Sequence, residues 1–387
     1  MASKKKVEKE GNDISDILSR YQRTVDPKPY DTGNFILNTI FGNGFPKNTF
    51  VELYSESGLG KTTISLSICR ALCSQGKRVI YIDAEGGIEN PLRLSEEDRK
   101  GNILHSMGME KYLEDGSFIL LNCNVNQIND IDVIVTKAVE KKDKDGFPLE
   151  SDFALIVIDS VAALTDSSEM EGSNGIEKQQ IGSFARMISN LMKRLNLLKK
   201  YGTSIILINQ LREQLNVTGP GGNTGKTTTG GKSVKYFCDV RIKLEKAEWM
   251  KEKIDSNNKM FEKSEAIVGS YLRVTAEKNR GAKGNIPYIL PVIFGKGVSN
   301  ILTIAMALKN KKIVNFEGKT VNMIEEGSGG WMTVTLGGEE TDVIRIQGQN
   351  KLNKLIAEKY DYIMENNLIT QEDFQIKLGG ADTYGEQ

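Results

Sequence analysis

The sequence predicts an α/β fold built around a mostly parallel central sheet. The first indication is a series of short, continuously apolar runs that alternate with helical patterns, such as FALIVIDS at Phe153–Ser160 before the helical spacing of Phe184–Lys200. Continuous apolar runs are typical of strands that helices cover on both faces. The second indication is the order strand, glycine-bearing turn, helix, strand between Phe50 and Glu85, which is one βαβ unit.

Three regions follow one another along the 387 residues. Residues 1–32 start with a lysine-rich, apolar-poor stretch and show helical spacing from Ile14, which predicts an N-terminal helical arm. Residues 33–299 carry the alternating strands and helices of the core. Residues 300–387 hold two helical patterns, ILTIAMALKN and LNKLIAEKYDYIMENN, around short β runs such as WMTVTL, and we expect a small C-terminal α/β domain there.

The core elements are predicted in order from apolar runs and helical spacing. The strands are TFVELY, RVIYIDAE, FILLN, FALIVIDS, SIILINQ, VRIKLEK and SYLRVTAEKNR. The polar insert Trp249–Glu265 separates the last two of these strands, which indicates an extended surface hairpin. The glycine-rich and threonine-rich stretch Leu211–Gly231 is too long and polar for an ordinary connection and predicts a functional loop.

Composition and charge exclude several classes of protein. Lys+Arg and Asp+Glu both total 51, so no global cationic field marks a nucleic-acid binder, and any such surface must be local. No apolar run approaches the roughly 20 residues of a membrane span, and the start lacks a signal peptide, so we expect a cytoplasmic protein with no membrane partner. The four cysteines fit no zinc spacing, and Cys69 and Cys73, one helical turn apart, indicate buried, reduced thiols.

A phosphate-binding loop is the strongest local signal. SESGLGKTT lies between a predicted strand and a predicted helix, so backbone N–H groups would surround phosphates at a helix N-terminus. Lys61 would reach the β- and γ-oxygens, and Thr62 would hold Mg²⁺. Ser55 stands where the motif has its first glycine. The cofactor-binding residues expected in this segment are Ser55, Glu56, Ser57, Gly58, Leu59, Gly60, Lys61, Thr62 and Thr63.

Carboxylates at strand ends provide the second signal. Asp159 follows the apolar strand FALIVI, where it would support the magnesium ion beside Thr62; structural capping is the alternative. Asp83 and Glu85 end another strand, and a spacing of two would project both on the same side of an extended chain. One of them would orient the attacking water, and the spacing alone leaves that choice open.

The glycine-rich stretch has the chemistry of a nucleic-acid backbone contact. No acidic residue occurs from Gln214 to Cys238, while lysines are placed among glycines and threonines whose donors suit phosphates. A flexible loop with solvated lysines is the alternative that these residues leave open.

These motifs together resemble the RecA recombinases of bacteria and phages. The resemblance runs from about Phe35 to Asn300 in unbroken order: VELYSESGLGKTT, VIYIDAE, LIVIDSVAALT, EMEG, FARMISNLMKRL, LINQLRE, TTTGGKSVKYF and EKNRGAKG. It implies a RecA-like P-loop ATPase core that uses ATP and Mg²⁺. It further implies that Glu85 is the catalytic base and Gln210 the γ-phosphate sensor, and that residues 171–181 and 211–229 are DNA-binding loops.

The resemblance also implies contacts with DNA and with a neighbouring subunit. Lys278 and Arg280 match two lysines that reach the ATP of the adjoining subunit, and the N-terminal helix matches the arm that docks on the next subunit. The DNA-binding residues that the resemblance and the loop chemistry indicate are Arg186, Arg212, Lys226, Thr228, Gly230, Gly231 and Lys232.

The expected function is therefore a DNA-dependent ATPase that forms a helical filament on single-stranded DNA. It would catalyse pairing and strand exchange with homologous double-stranded DNA in recombination and the repair of DNA damage. A ring-forming helicase or motor on the same core is one alternative. A nucleotide-gated DNA scaffold without strand exchange is the other.

Overall fold

The strands of the protein form one large and two small sheets in the computed structural model, which describes residues 28–122, 128–144, 146–164, 183–213, 226–253, 265–370 and 373. The strands are β1 (Phe50–Ser55), β2 (Arg78–Asp83), β3 (Phe118–Leu121), β4 (Phe153–Asp159), β5 (Ser204–Glu213), β6 (Lys226–Thr228), β7 (Val240–Lys253), β8 (Glu265–Asn279), β9 (Pro287–Ile293), β10 (Gly297–Val298), β11 (Lys312–Val314), β12 (Thr320–Asn322), β13 (Ile324–Glu326), β14 (Trp331–Thr335) and β15 (Val343–Gln347).

The helices of the described residues lie between these strands and after them. They are α1 (Phe35–Phe41), α2 (Lys61–Ser74), α3 (Glu96–Arg99), α4 (Ile103–Ser106), α5 (Glu110–Glu114), α6 (Ile128–Val139), α7 (Ser183–Leu197), α8 (Gly231–Phe237), α9 (Asn300–Asn310), α10 (Gln349–Glu358) and α11 (Tyr360–Glu365). In the part of the chain that is described, no helix combines the length and the apolar character needed to cross a membrane.

The central sheet is parallel in its middle and antiparallel at one side. Its strand order is β10-β9-β8-β7-β1-β5-β4-β2-β3, and β6 pairs with β5. The strands from β7 through β3 in this order pair in parallel, whereas β8, β9 and β10 add antiparallel pairs. The predicted fold class, an α/β fold with a mostly parallel central sheet, is confirmed.

Alternate residues of the strands supply two cores, one on each face of the sheet. Leu155 and Val157 of β4 belong to the cluster that includes α1, α2 and α9. Ile156 and Ile158 belong to the cluster that includes α6, α7 and α8. Burial on both faces explains why these strands read as continuous apolar runs. Cys69 and Cys73 are buried in the first cluster, as predicted.

The two ends of the parallel strands define two edges that matter for function. The carboxyl edge is where β1, β2 and β4 end, at Ser55, Asp83 and Asp159; Ser55 pairs with Gln210, and Asp83 pairs with Asp159. The amino edge is where β1 begins, at Phe50, whose carbonyl accepts a hydrogen bond from the Asp239 N–H. β1 places about 17 Å between the edges at roughly 3.3 Å per residue.

Two predicted boundaries differ from the structure because backbone pairing continues beyond the apolar runs. The predicted loop Leu211–Gly231 is strand at its two described ends: Leu211, as part of β5, pairs with Thr228 of β6, and α8 starts at Gly231. The predicted polar insert Trp249–Glu265 overlaps both strands of the hairpin, since β7 continues to Lys253 and β8 starts at Glu265. In these polar segments, backbone N–H and C=O groups pair between neighbouring strands, and the pattern of hydrophobic residues does not predict such pairing. The hairpin of β7 and β8 itself is confirmed.

The C-terminal region after Ser299 contains both predicted helical patterns and the β run. The second pattern is divided at Lys359 into α10 and α11. The first five residues of WMTVTL form β14, the middle strand of a three-stranded sheet. Its buried side chains continue the cluster on one face of the main sheet. The three predicted domains stay a prediction, and most of the N-terminal arm, residues 1–27, lies outside the described residues.

Candidate nucleotide-binding site

The turn between β1 and α2 has the backbone of an anion cradle. Gly58 and Gly60 both have φ of 72°, the left-handed region that glycine occupies without strain. Apart from Gly58 and its two chain neighbours, no atom of the described residues lies within 4 Å of the position that a Gly58 Cβ would take, so the backbone there is open to a ligand. Gly60 precedes the 14-residue helix α2, whose first N–H groups have no partner within the helix. These features fit a phosphate group.

Lys61 is held at the mouth of this turn. Its Nζ donates to the Ser55 Oγ at 3.0 Å and to the Glu56 carbonyl oxygen at 2.8 Å. Burial lowers the pKa of Lys61, and the charges of Asp159 and Glu85 oppose that shift. Ser55, at the glycine position of the motif, therefore supplies an acceptor for the lysine, which the sequence did not predict.

Asp159 and Thr62 are brought together as a pair of oxygen ligands. The Thr62 hydroxyl donates to Asp159 Oδ2 at 2.7 Å, and Asp159 is 4% exposed. Burial raises the pKa of Asp159, while the hydrogen bonds from Thr62 and Tyr81 lower it. Hydroxyl and carboxylate oxygens suit Mg²⁺, which in phosphate sites takes one or two carboxylates and completes its shell with water and phosphate. The described residues hold no group of three or more metal-ligating side chains of His, Cys, Asp or Glu that would indicate a separate metal site.

The structure distinguishes the two candidate carboxylates after β2. Asp83 is buried and accepts hydrogen bonds from the Gly86 N–H at 3.0 Å and the Ile88 N–H at 2.7 Å. Burial raises its pKa, and these N–H groups oppose the shift. The prediction that both carboxylates project on one side assumed an extended chain, whereas β2 ends at Asp83 and the chain bends at Ala84 and Glu85.

Glu85 meets groups from two other strand ends. Its Oε1 accepts a hydrogen bond from the Ser160 hydroxyl, which follows β4. The same oxygen accepts one from Gln210 Nε2 of β5 at 3.1 Å. Glu85 is exposed. The exposed carboxylate, beside Gln210 and away from the backbone bonds of Asp83, is the one that a water molecule can reach.

Comparison with known proteins agrees with this site. The family model "RecA N-terminal domain" matches residues 149–299, and the model "CobQ/CobB/MinD/ParA nucleotide binding domain" matches residues 53–218. Protein RecA of Mycoplasma pneumoniae is 31% identical over 296 residues, which are 76% of this chain and 76% of the relative.

The chain belongs to the RecA family. Protein RecA of Mycoplasma genitalium is similarly related, at 32% identity over 286 residues, 73% of this chain and 72% of the relative. A solved structure, that of the RadB recombinase, matches with a TM-score of 0.43 and 19% identity over 69% of this chain and 97% of that chain. The RecA resemblance found in the sequence motifs is thus confirmed.

Two predicted catalytic residues lie at the other edge of the sheet. Lys278 Nζ donates to the carbonyl oxygens of Lys235 at 2.9 Å and Tyr236 at 3.1 Å, and Arg280 Nη1 donates to Asp239 Oδ1 at 2.8 Å. Burial and the nearby Arg280 lower the pKa of Lys278. The Arg280 N–H also donates to the Asp239 carbonyl, which fixes Arg280 at the amino edge.

The predicted DNA-binding residues lie beyond the carboxyl edge, around the end of β5. Arg212 is exposed on β5, one residue after Leu211, which pairs with the buried Thr228 of β6. Lys232 is exposed at the start of α8, and Arg186 is exposed on α7. Three further predicted DNA-binding residues lie at the start of β6 or at the start of α8: Lys226, Gly230 and Gly231. Residues 165–182 and 214–225, which hold most of the two predicted loops, lie outside the described residues.

Gly230 has a local structural reason for being glycine. Its φ is 88°, and a Cβ there would lie 2.9 Å from Val234 Cγ2 and 3.1 Å from Ile188 Cγ2. A side chain would therefore push α8 away from α7. This packing operates whether or not DNA also approaches the glycine.

A buried polar network that includes Asn209 of β5 was not predicted. Asn209 Nδ2 donates to Glu52 Oε1 at 2.9 Å and to the Thr229 carbonyl oxygen at 2.9 Å. Glu52 is fully buried and forms an ion pair with Arg241 of β7. The network joins the strand before the phosphate loop to the backbone after β6. The signal in the sequence was a polar residue within the apolar runs FVELY and IILIN.

Proposed function

We propose that this RecA-family chain is a DNA-dependent ATPase that polymerises on single-stranded DNA and catalyses homologous pairing and strand exchange. The observation that carries the proposal is the division of the predicted reactive groups between two edges of one sheet. Lys61, Asp159 and Glu85 lie at the carboxyl edge, while Lys278 and Arg280 lie at the amino edge. A single copy cannot apply both sets to one nucleotide across about 17 Å of strand.

At the carboxyl edge, each side chain has a role that its contacts support. The N–H groups at the start of α2 and the Lys61 ammonium bind the phosphates of ATP. Thr62 and Asp159 would hold Mg²⁺, which neutralises phosphate charge when bound. Glu85 holds and polarises the attacking water, and Gln210, bonded to Glu85, senses the γ-phosphate.

The amino edge supplies positive charge to the nucleotide of a neighbouring copy. Arg280 presents a planar guanidinium and Lys278 an ammonium, and both groups stabilise charge that develops on transferring phosphates. An interface that joins the carboxyl edge of one copy to the amino edge of the next is head-to-tail, and such interfaces extend as helices unless the rotation closes a ring. The N-terminal arm, residues 1–32, is proposed to dock on the adjoining copy.

DNA is proposed to bind beyond the carboxyl edge, next to Gln210. Arg212 follows the sensor by two residues on the same strand, so a change at the γ-phosphate is transmitted to the DNA contact through covalent structure. Arg186 and Lys232 add exposed positive charge on α7 and α8. Phosphate contacts of this kind give binding that weakens steeply with salt. The curated relatives named Protein RecA support recombination and repair as the biological setting.

Joint-molecule formation tests this function. The purified protein is incubated with ATP, Mg²⁺, a circular single strand and a homologous linear duplex, and products are separated on a gel, with a heterologous duplex as the control. We expect joint molecules only with the homologous duplex, and helical filaments by electron microscopy. Closed hexamers alone would favour a ring motor. Filaments without any joint molecules would favour a DNA scaffold.

A further inference from the structure

Tyr81 is a buried residue of β2 that contacts the proposed metal-binding carboxylate. Its side chain is fully buried, and its hydroxyl donates to Asp159 Oδ2 at 2.7 Å. β2 and β4 are neighbours in the sheet, and Tyr81 lies on the face that α2 covers. The tyrosine thus contacts the carboxylate from within the core that α2 covers.

Two hydroxyl groups converge on a single oxygen of this carboxylate. Thr62 Oγ1 and the Tyr81 hydroxyl both donate to Asp159 Oδ2, each at 2.7 Å. Among the described residues, Asp159 Oδ1 accepts no hydrogen bond. A carboxylate held through one oxygen keeps a fixed orientation and leaves the other oxygen for an ion and its water shell.

The two hydroxyls cannot substitute for each other. Thr62 is itself proposed to hold the metal through its oxygen lone pairs, so its position follows the ion as well as Asp159. Tyr81 is locked by its surroundings: its ring lies 6.0 Å from the Phe118 ring, and its oxygen is 3.2 Å from Ser65 Oγ. Tyr81 therefore provides the contact to Asp159 that does not depend on the ion.

We propose that Tyr81 is a positioning residue for magnesium, acting through its hydrogen bond to Asp159. This inference rests on the proposed nucleotide site. Outer contacts that orient a metal-binding carboxylate typically change metal affinity by about 10–100-fold when removed. The hydroxyl of Tyr81 would then set the concentration of Mg²⁺ at which ATP binding and hydrolysis reach half of their maximum.

Tyr81→Phe tests this inference because it deletes one oxygen and keeps the ring. Binding of a fluorescent ATP analogue is titrated with Mg²⁺, and phosphate release is measured over the same range. We expect the half-saturating Mg²⁺ concentration to rise about tenfold or more. Analogue binding in EDTA and the hydrolysis rate at saturating Mg²⁺ should stay near the wild-type values.

Tyr201→Phe is the matched control. Tyr201 is also buried, its hydroxyl donates to Glu140 Oε1 at 3.1 Å, and it lies in the core on the opposite face of the sheet. This variant should lose a comparable amount of thermal stability and keep the wild-type dependence on Mg²⁺. In an Asp159→Ala background, Tyr81→Phe should cause no further change in the half-saturating concentration.

Three results separate failure of this inference from failure of the proposed function. If the wild-type protein binds the analogue with Mg²⁺ and Tyr81→Phe titrates at the same concentration, the hydroxyl only stabilises the fold and the inference is wrong. An additive effect in the Asp159→Ala background would likewise show that Tyr81 acts elsewhere. If the wild-type protein shows no Mg²⁺-dependent binding, the nucleotide site itself is refuted.

Discussion

The carboxyl edge and the amino edge of the sheet differ in what their predicted reactive side chains contact. At the carboxyl edge, the predicted groups contact one another: Thr62 bonds to Asp159, and Gln210 bonds to Glu85. At the amino edge, Lys278 and Arg280 bond to backbone carbonyls and to Asp239. The difference teaches that the carboxyl-edge groups are assembled with one another within the chain, whereas the amino-edge groups would act on a nucleotide only in the proposed contact with a second copy.

One short helix joins the two edges. α8 begins at Gly231, beside the proposed DNA-binding residues, and its last turn provides the carbonyl oxygens of Lys235 and Tyr236 that hold Lys278. A helix of 7 residues is about 10 Å long. The proposed DNA-binding surface is therefore connected to the amino edge by a single helix.

Removing the amino-edge charges should produce the largest effect. In the double variant Lys278→Ala/Arg280→Ala, we expect DNA-dependent hydrolysis to fall by about 10³–10⁵-fold, the range that a charge supplied by a neighbouring subunit contributes. Binding of a fluorescent ATP analogue by the isolated chain should persist, because the phosphate loop is intact. Phosphate release and analogue titration measure the two properties.

Lys283→Ala, an exposed lysine of the same hairpin connection, is the control and should hydrolyse ATP at the wild-type rate. If the double variant retains hydrolysis within about tenfold of wild type, the amino edge has no part in the chemistry.

Glu85→Gln should have the next largest effect, and it probes the carboxyl edge. The amide keeps the size of the side chain and cannot take a proton from water, so we expect hydrolysis to fall by about 10²–10⁴-fold. ATP and DNA binding should remain. Single-turnover hydrolysis and equilibrium binding separate the two.

Glu89→Gln, the same change at an exposed carboxylate four residues later, should leave hydrolysis unchanged. Loss of nucleotide binding in Glu85→Gln would refute the role given to this carboxylate.

Arg212→Ala should produce the smallest effect and tests the DNA surface beyond the carboxyl edge. Losing one phosphate contact to single-stranded DNA should reduce the slope of log affinity against log salt by about 0.7. Affinity at moderate salt should fall several-fold, without a change in ATP binding. Fluorescence anisotropy with a labelled oligonucleotide measures both quantities at several salt concentrations.

Arg194→Ala is the control. Arg194 is an exposed arginine of α7 that is paired with Asp132 of α6, and its removal should leave the slope of log affinity against log salt at the wild-type value. An unchanged slope in Arg212→Ala would exclude this arginine from the DNA contact.

Local sequence patterns predicted the phosphate loop and the neighbouring carboxylate, whereas the contacts between their side chains depend on which strands pair. The apolar runs that end at Tyr54 and Ile158 and the glycines before Lys61 were enough to predict a phosphate loop beside a carboxylate. The spacing did not distinguish Asp83 from Glu85, and the preference for Glu85 came from the RecA resemblance alone. The difference between them depends on where β2 ends and on which backbone N–H groups then face Asp83.

Contacts that cross the sheet were the least predictable part. Tyr81 lies in an apolar run and has the pattern of a core residue, and its contact with Asp159 depends on β2 and β4 being neighbours. The bond between Asn209 and Glu52 likewise depends on the pairing of β5 with β1. Hydrophobic periodicity specifies which face a residue occupies, but not which strand lies next to it.

A mixing experiment tests most directly whether two copies share one site. Lys61→Ala lacks the phosphate-loop lysine and Lys278→Ala/Arg280→Ala lacks the amino-edge charges, so each protein alone should be inactive. In an equal mixture on single-stranded DNA, about a quarter of head-to-tail interfaces would combine an intact phosphate loop with an intact amino edge. We predict that hydrolysis returns to a comparable fraction of the wild-type rate. A mixture as inactive as its two components would contradict the shared site.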